Sequence, residues 1–397
     1  MEPTEINDPH EQILTNMRQY PNDIPMVDGK VSEAFREYIK IMFTPEEARI
    51  AQHLKLMTPP SGKMAKKILP RLFTLKFVHK LMRRKSIRDV SGKIGKTVDE
   101  TEKILEEMTD KGIIQDIGGF SYFLTMPHLF NIAFKYSKAI DRYGKKGAEL
   151  FQQFFIKEKF YKRYQSSDKG TPITRIVPVN KAIDHHSEIQ NAEEIHNIFD
   201  TCKEPIVITD CPCRKRTEIL GIRECGEKYP IENSCFQVGL FGEYFLNRGE
   251  GKRLTREEAH EHVDAFAKKG LIFTTENTRD TNRFVICCCC GCCCSLLRGM
   301  TRFEEKNENC SAKSNFVAEV DPELCSGCGV CEKRCVFEAI TLTDEKSHVN
   351  LELCYGCGVC GVTCPTGAIK LHRKERSHIY ANGVELSSKM YKENRGL

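Results

Sequence analysis

Twenty-one cysteines are spread unevenly over 397 residues. The densest stretch, FVICCCCGCCCSLLRG at 284–299, sets seven of them around Gly291 alone. Deprotonated thiols are soft ligands for zinc and for iron–sulfur clusters. The first residues, MEPTEINDPHEQ, are acidic and proline-dotted, unlike a secretory signal, so the thiols are expected to stay reduced. Metal ligation, and not a disulfide framework, is the chemistry they predict. On an extended strand neighbouring side chains face opposite ways, which puts Cys287 and Cys289 on one side and Cys288 and Cys290 on the other. No single ion or cubane can use all seven.

Residues 319–371 carry a more regular pattern. ELCSGCGVCEKRC with EAITL after it returns 29 residues later as ELCYGCGVCGVTC with GAIKL after it. Each half reads C-x2-C-x2-C-x3-C: Cys325, Cys328, Cys331 and Cys335, then Cys354, Cys357, Cys360 and Cys364. A short coil with a cysteine at every third residue can direct three thiolates at one cubane while the fourth points across to its twin. Over about 55 residues the pattern resembles the bacterial double-cluster ferredoxins. The resemblance implies a pseudo-twofold α+β domain with two 4Fe-4S clusters. One would be held by Cys325, Cys328, Cys331 and Cys364, the other by Cys354, Cys357, Cys360 and Cys335. Structural zinc also takes four cysteines, but it pairs two C-x2-C knuckles across a longer gap. Glycines at 327, 329, 356 and 358 would let backbone N–H groups approach the cluster sulfurs. The sequence departs from the family once: Pro365 follows the second motif as that pattern expects, whereas Val336 stands where the first should have proline. Its extra N–H, aimed at a sulfur, would raise that cluster's potential.

Upstream lie Cys211, Cys213, Cys225 and Cys235. The economical arrangement combines them with Cys287, Cys289, Cys290, Cys292, Cys293 and Cys294 into one or two more centres. D-C-P-C-R after a strand, then REC and NSC, then C-x-C-C-x-C-C, resembles the cysteine-rich domain that precedes double ferredoxins in some proteins of anaerobes. That resemblance does not fix which thiols bind. Iron–sulfur is favoured because a relay needs closely spaced centres and a ferredoxin lies next door. Zinc, or unligated cysteines acting as small buried apolar residues, are the alternatives. Arg214, Lys215 and Arg216 could lower thiol pKa values and balance cluster charge, although such a run is more often a solvated face. Cys202 and Cys310 stand alone and read as core or surface thiols. His185 with His186, and His260 with His262, are not at helical-face spacings and are not assigned as ligands.

These sites need scaffolding. The expected fold is a multidomain α+β protein with a mostly helical N-terminal half that includes a winged helix, a cysteine-rich α+β middle and the ferredoxin-type domain. The domains are a helical arm at 1–59, a winged-helix-like domain at 60–126, a helical linker region at 127–200, the cysteine-rich metal-binding domain at 201–310, the double-cluster domain at 311–375 and a tail at 376–397. In the arm, VSEAFREYIKIMF is a helix and TPEE, Thr44 with Glu47, is a capping box that opens another. A basic helical stretch around 63–85, interrupted by Pro70, precedes a short helix from Ile87. A second helix is capped by Thr97 with Glu100, and strands flank Gly118–Gly119 as a hairpin. This order resembles a winged-helix domain, a family that serves both as DNA readers and as protein docking modules. In the cysteine-rich region PIVITD, LIFTTEN and RFVICC read as strands. TREEAHEHVDAFAKKG reads as a helix capped by Thr255 with Glu258 and stopped at Gly270.

Charge is asymmetric. From Lys63 to Lys96 twelve Lys or Arg face Asp89 alone, so with +5 overall the remainder sums to −6, and each 4Fe-4S centre would add about −2 more to the cysteine-rich half. No run reaches the roughly 18 apolar residues of a membrane span, which predicts a cytoplasmic protein. The sequence carries no phosphate loop, GxGxxG fingerprint, nucleophile elbow or HExxH, so no catalytic residue is assigned. An electron carrier or oxidoreductase subunit is favoured over a stand-alone enzyme. The expected function is single-electron relay between redox proteins, with an acidic protein or membrane surface meeting the basic 63–96 stretch. The alternative is an iron–sulfur redox-sensing winged-helix DNA-binding regulator. Against it, the expected recognition helix TVDETEKILEEMTD is itself strongly acidic.

Overall fold

The computed structural model describes residues 8–18, 24–56, 76–116, 119, 121–125, 137–190 and 192–396. It is a mixed α/β, multidomain chain in two compact units, Met1–Tyr164 with Lys215–Ile222, and Gln165–Arg214 with Arg223–Leu397. Among the described residues no helix is long and apolar enough to cross a membrane.

The first unit is mainly helical. Glu33–Met42 buries Phe35 and Tyr38, whose rings stand edge-on to Phe154 at 5.1 and 5.3 Å. Phe151 stacks on Phe155 at 4.9 Å, and the guanidinium of Arg216, fully buried, lies 4.7 Å from the Phe151 ring centroid. Such pairs add about 0.5–1.5 kcal/mol each beyond burial. Both expected capping boxes form: Thr44 with Glu47 opens Pro45–Ala51, and Thr97 with Glu100 opens Val98–Asp110. Glu47 also takes Lys111 Nζ at 2.8 Å and Arg142 Nη1 at 3.1 Å, joining three separate segments.

The helix expected to begin at Ile87 begins earlier. Lys76–Ile94 is one continuous helix, because Lys76 to Ser91 contain no proline or glycine and buried Ile87 and Val90 prolong its inner face. Pro70 and the basic residues 63–71 lie outside the described residues. Ile114–Gln115 and Phe123–Leu124 pair antiparallel around left-handed Gly119, and Gly118 also lies outside the described residues. Arg83, counted in the basic stretch, turns inward to Glu102 (3.2 Å), Asp116 (3.4 Å), Glu106 and Tyr122.

A seven-stranded sheet organises the second unit, in the order Ser311–Ala312, Thr174–Val177, Ile272–Glu276, Val285–Cys289, Cys235–Val238, Ile206–Thr209, Lys252–Leu254. Only the first pair is parallel. Thr174–Val177 corrects the helical reading of 127–200: its β-branched Thr, Ile and Val suit a pleated, buried position. The helix Arg256–Lys269 has its Thr255–Glu258 box and ends at left-handed Gly270. The sheet separates two apolar cores. Ile286 and Cys288 enter one with Phe236, Phe266 and Phe273. Cys287 and Cys289 border the other with Ile176, Ile272, Leu297 and Phe316.

That second core runs on into the C-terminal lobe. There Phe316–Val320 pairs antiparallel with Ile369–Arg373, and Ile340–Thr343 with Lys346–Val349. Each cysteine coil ends in one short helix, Val330–Arg334 or Val359–Thr363. Buried Glu193 ties the lobe down by accepting from Arg373 Nη1 at 2.6 Å and Asn315 Nδ2 at 2.8 Å.

Candidate metal centres

In the C-terminal lobe, coil, short helix and strand place eight thiols around two cavities. Cys325, Cys328, Cys331 and Cys364 line one, and Cys335, Cys354, Cys357 and Cys360 line the other. Each cavity thus takes three cysteines from one half of the repeat and the fourth from its twin. Burial, followed by the neighbouring thiols, pushes Cys357 up to about 12 and raises Cys360 as well. Thiolates crowded into such an apolar wall need a bound cation to offset their charge. Polar donors reach the sulfurs from outside: the Ala339 amide to Cys335 Sγ at 3.3 Å, and Ser347 Oγ lies 3.1 Å from Cys331 Sγ. Four thiols, amide donors and an apolar lining suit an iron–sulfur cubane.

The Gly327 amide bonds Cys325 as the glycine reading expects, and Gly356 answers a second requirement. Gly356 has φ +64°, and a Cβ there would sit 2.1 Å from the Phe316 carbonyl oxygen. It is required by backbone shape and by the strand beside it. Cys335 Sγ accepts a hydrogen bond from the Ala339 amide, and the side chain of Val336 has its own neighbour, Gly291: a Cβ on that glycine would meet Val336 Cγ1 at 2.9 Å.

The dense cysteine run divides at this glycine. Val285–Cys289 is its strand, residues 291–293 turn, and Cys294 stands immediately before the helix Ser295–Thr301. Cys290, Cys292 and Cys293 meet Cys225, all four Sγ atoms lying within 4.8 Å of one another. Cys225–Cys293 is 3.7 Å and Cys292–Cys293 is 3.6 Å. These spacings approach the roughly 3.8 Å edge of a sulfur tetrahedron about one ion with bonds of about 2.3 Å. A cubane at the same four thiols requires them to spread. Either way the donors are four soft sulfurs, three of them buried.

Arg214 is the residue that sequence reasoning undervalued. The expected solvated face is instead a fully buried guanidinium. Its Nη2 donates to the Cys288 carbonyl at 2.6 Å and its Nη1 to Ser234 Oγ at 2.6 Å. Hydrogen bonding from Cys292 and Cys293, then the charge of Arg214, outweigh burial and hold the Cys290 thiol far below its ordinary value. The strand Ile206–Thr209 leads to Cys211 and the helix Pro212–Ile219 turns Arg214 inward, a placement that D-C-P-C-R alone does not encode.

The remaining thiols fall elsewhere. Cys289 and Cys294 have their sulfurs 3.2 Å apart, away from the four-thiol group. Cys213 Sγ lies 3.7 Å from Ser295 Oγ. Cys211 neighbours Cys213 and Cys235, and Cys235 Sγ accepts from Gln237 at 3.6 Å. Cys202 and Cys310 are buried core thiols that donate to backbone carbonyls, Cys202 to Phe199 at 3.5 Å and Cys310 to Leu296 at 2.9 Å. His260 pairs with Asp200 at 3.0 Å.

A family model described as a 4Fe-4S binding domain (Fer4) matches residues 348–370, the second half of the repeat. No curated protein and no solved structure matches the chain. A 4Fe-4S binding domain therefore lies near the C-terminus, and together with the four-cysteine group it supports an iron–sulfur electron-transfer role.

Proposed function

We propose that the chain relays single electrons between redox partners through two ferredoxin-type 4Fe-4S clusters and a further iron centre held by Cys225, Cys290, Cys292 and Cys293. The clusters would be held by Cys325, Cys328, Cys331 and Cys364, and by Cys335, Cys354, Cys357 and Cys360. The observation that carries the reading is the contact of Gly291 with Val336. Gly291 separates two cysteines of the four-thiol group, and Val336 follows Cys335. The contact favours short-range passage between the two sites.

Iron–sulfur centres supply a one-electron change with little ligand movement. The chain's own residues do the rest. Phe337, Tyr355 and Val359 form an apolar wall that excludes water from the second cavity. Amide and hydroxyl donors stabilise negative sulfur, and Arg214 offsets thiolate charge at the four-thiol group. On the helix Lys76–Ile94, exposed Lys80, Arg84, Lys85, Arg88 and Lys93 suit docking to an acidic protein partner. The regulator alternative has less support, because Arg83 is committed to carboxylates and Val98–Asp110 is acidic.

The test is the iron, zinc and sulfide content of protein purified without oxygen. The two ferredoxin sites account for roughly eight iron atoms. Iron beyond that, lost when Cys290 and Cys292 are replaced by alanine, is the expected result. One zinc at that site in place of iron removes it from the relay. Colourless protein free of iron refutes the function outright.

A further inference from the structure

We infer that a second, separate iron–sulfur centre is built on the opposite face of the sheet, from Cys213, Cys287, Cys289 and Cys294. This rests on the proposed iron–sulfur function and extends it. The strand Val285–Cys289 alternates, so Cys287 and Cys289 leave the face that carries Cys288 and Cys290. After the turn at Gly291, Cys294 returns to the side of Cys289, with a Sγ–Sγ separation of 3.2 Å. Cys287 is the next thiol beyond Cys289, and Cys213 the next beyond Cys294. Four thiols from a strand, a turn and the helix Pro212–Ile219 are thereby gathered without a carboxylate or histidine among them. Hydroxyls attend the group as they do in the C-terminal lobe: Thr274 Oγ1 is 3.7 Å from Cys289 Sγ and Ser295 Oγ is 3.7 Å from Cys213 Sγ.

Location argues for a redox role. Cys289 and Cys294 belong to the same apolar core as Cys331, Cys354 and Cys360 of the ferredoxin-like lobe. The four-thiol group at Cys290 lies on the other core. The doubled cysteine run then has a physical reason: one strand and one tight turn feed ligands to two centres, one on each side of a sheet.

The experiment compares full-length protein, purified without oxygen, with the variants Cys289→Ala/Cys294→Ala and Cys290→Ala/Cys292→Ala, with Cys202→Ala as control. Iron, zinc and sulfide are assayed and the iron sites are counted by Mössbauer spectroscopy. We expect the first double variant to lose about four iron and four sulfide while keeping the iron that the second variant loses. Alkylation of the unmodified protein covers the case of a variant that does not fold. Cys213, Cys287, Cys289 and Cys294 should become reactive together on chelation, while buried Cys202 and Cys310 stay protected. Unchanged iron in Cys289→Ala/Cys294→Ala, zinc at that site, or a Cys289–Cys294 disulfide in the anaerobic protein overturns the inference. The proposed function survives each of these if Cys290→Ala/Cys292→Ala still loses iron. If neither variant loses iron, both the second centre and the four-thiol centre fall.

Discussion

Gly291 and Val336 touch so closely that a single methyl group would not fit between them. A Cβ at residue 291 would lie 2.9 Å from Val336 Cγ1 and 3.2 Å from its Cβ. The φ of Gly291 lies outside the left-handed region, so alanine there is opposed by Val336 and not by the backbone. Where the ferredoxin pattern expects a proline, this chain has a valine that packs on the neighbouring cysteine run.

Gly291→Ala should therefore destabilise the second unit by about 1–3 kcal/mol, the usual cost of overpacking. It should also shift the midpoint potential of the centre that includes Cys335. Adding Val336→Ala should recover most of both effects, which a double-mutant cycle measured by thermal unfolding and potentiometric EPR would read directly. Additive effects of the two substitutions would show that the contact does not couple the sites.

The crossed ligand sets proposed for the two clusters make a second prediction. Cys335→Ser should abolish the signal of the cluster that Cys354, Cys357 and Cys360 share, although Cys335 stands in the first half of the repeat. Cys364→Ser should spare that signal and remove the other. EPR of the reduced variants distinguishes this from ligation within each half, where the losses would be exchanged.

How much of this was legible beforehand depends on whether a local rule decides the matter. Capping boxes at Thr44, Thr97 and Thr255 are contained within four residues, and all three form where they are read. The two-sidedness of Cys287 to Cys290 follows from strand pleating alone. The partnership of Cys225 with Cys290, Cys292 and Cys293 spans some 65 residues of sequence and depends on how a loop returns to a turn, which no spacing encodes. The burial of Arg214 was missed for a related reason. Charge composition favours solvent, and it is the carbonyls of Cys288 and Pro230 and the hydroxyl of Ser234 that make the interior acceptable to it.

Arg214→Gln consequently removes both a charge and the guanidinium's hydrogen bonds to Pro230, Ser234 and Cys288. Orphaned acceptors cost about 1–3 kcal/mol. With less positive charge beside Cys290, the potential of the four-thiol centre should fall and its iron should be lost more readily to a chelator. Arg214→Lys, which keeps the charge but not the fork of donors, should retain more of the potential than of the stability. Equal behaviour of the two variants would mean that charge has no part in the effect.

The first unit offers a pH test independent of any metal. Burial pushes the Glu47 carboxyl up, but the bonds from Arg142, Lys111 and Thr44 outweigh it and hold the group at about 2, below its ordinary 4.5. A carboxylate depressed in the folded state contributes stability that is fully present above the unfolded value and is lost as the pH falls toward the folded one. The parent should therefore be more stable than Glu47→Gln near neutrality, and the difference should shrink between about pH 4.5 and about pH 2. Calorimetry of the transition of the N-terminal unit across that window measures it. A parent–variant difference that stays constant as the pH falls would mean that Glu47 is not held ionised by Arg142 and Lys111.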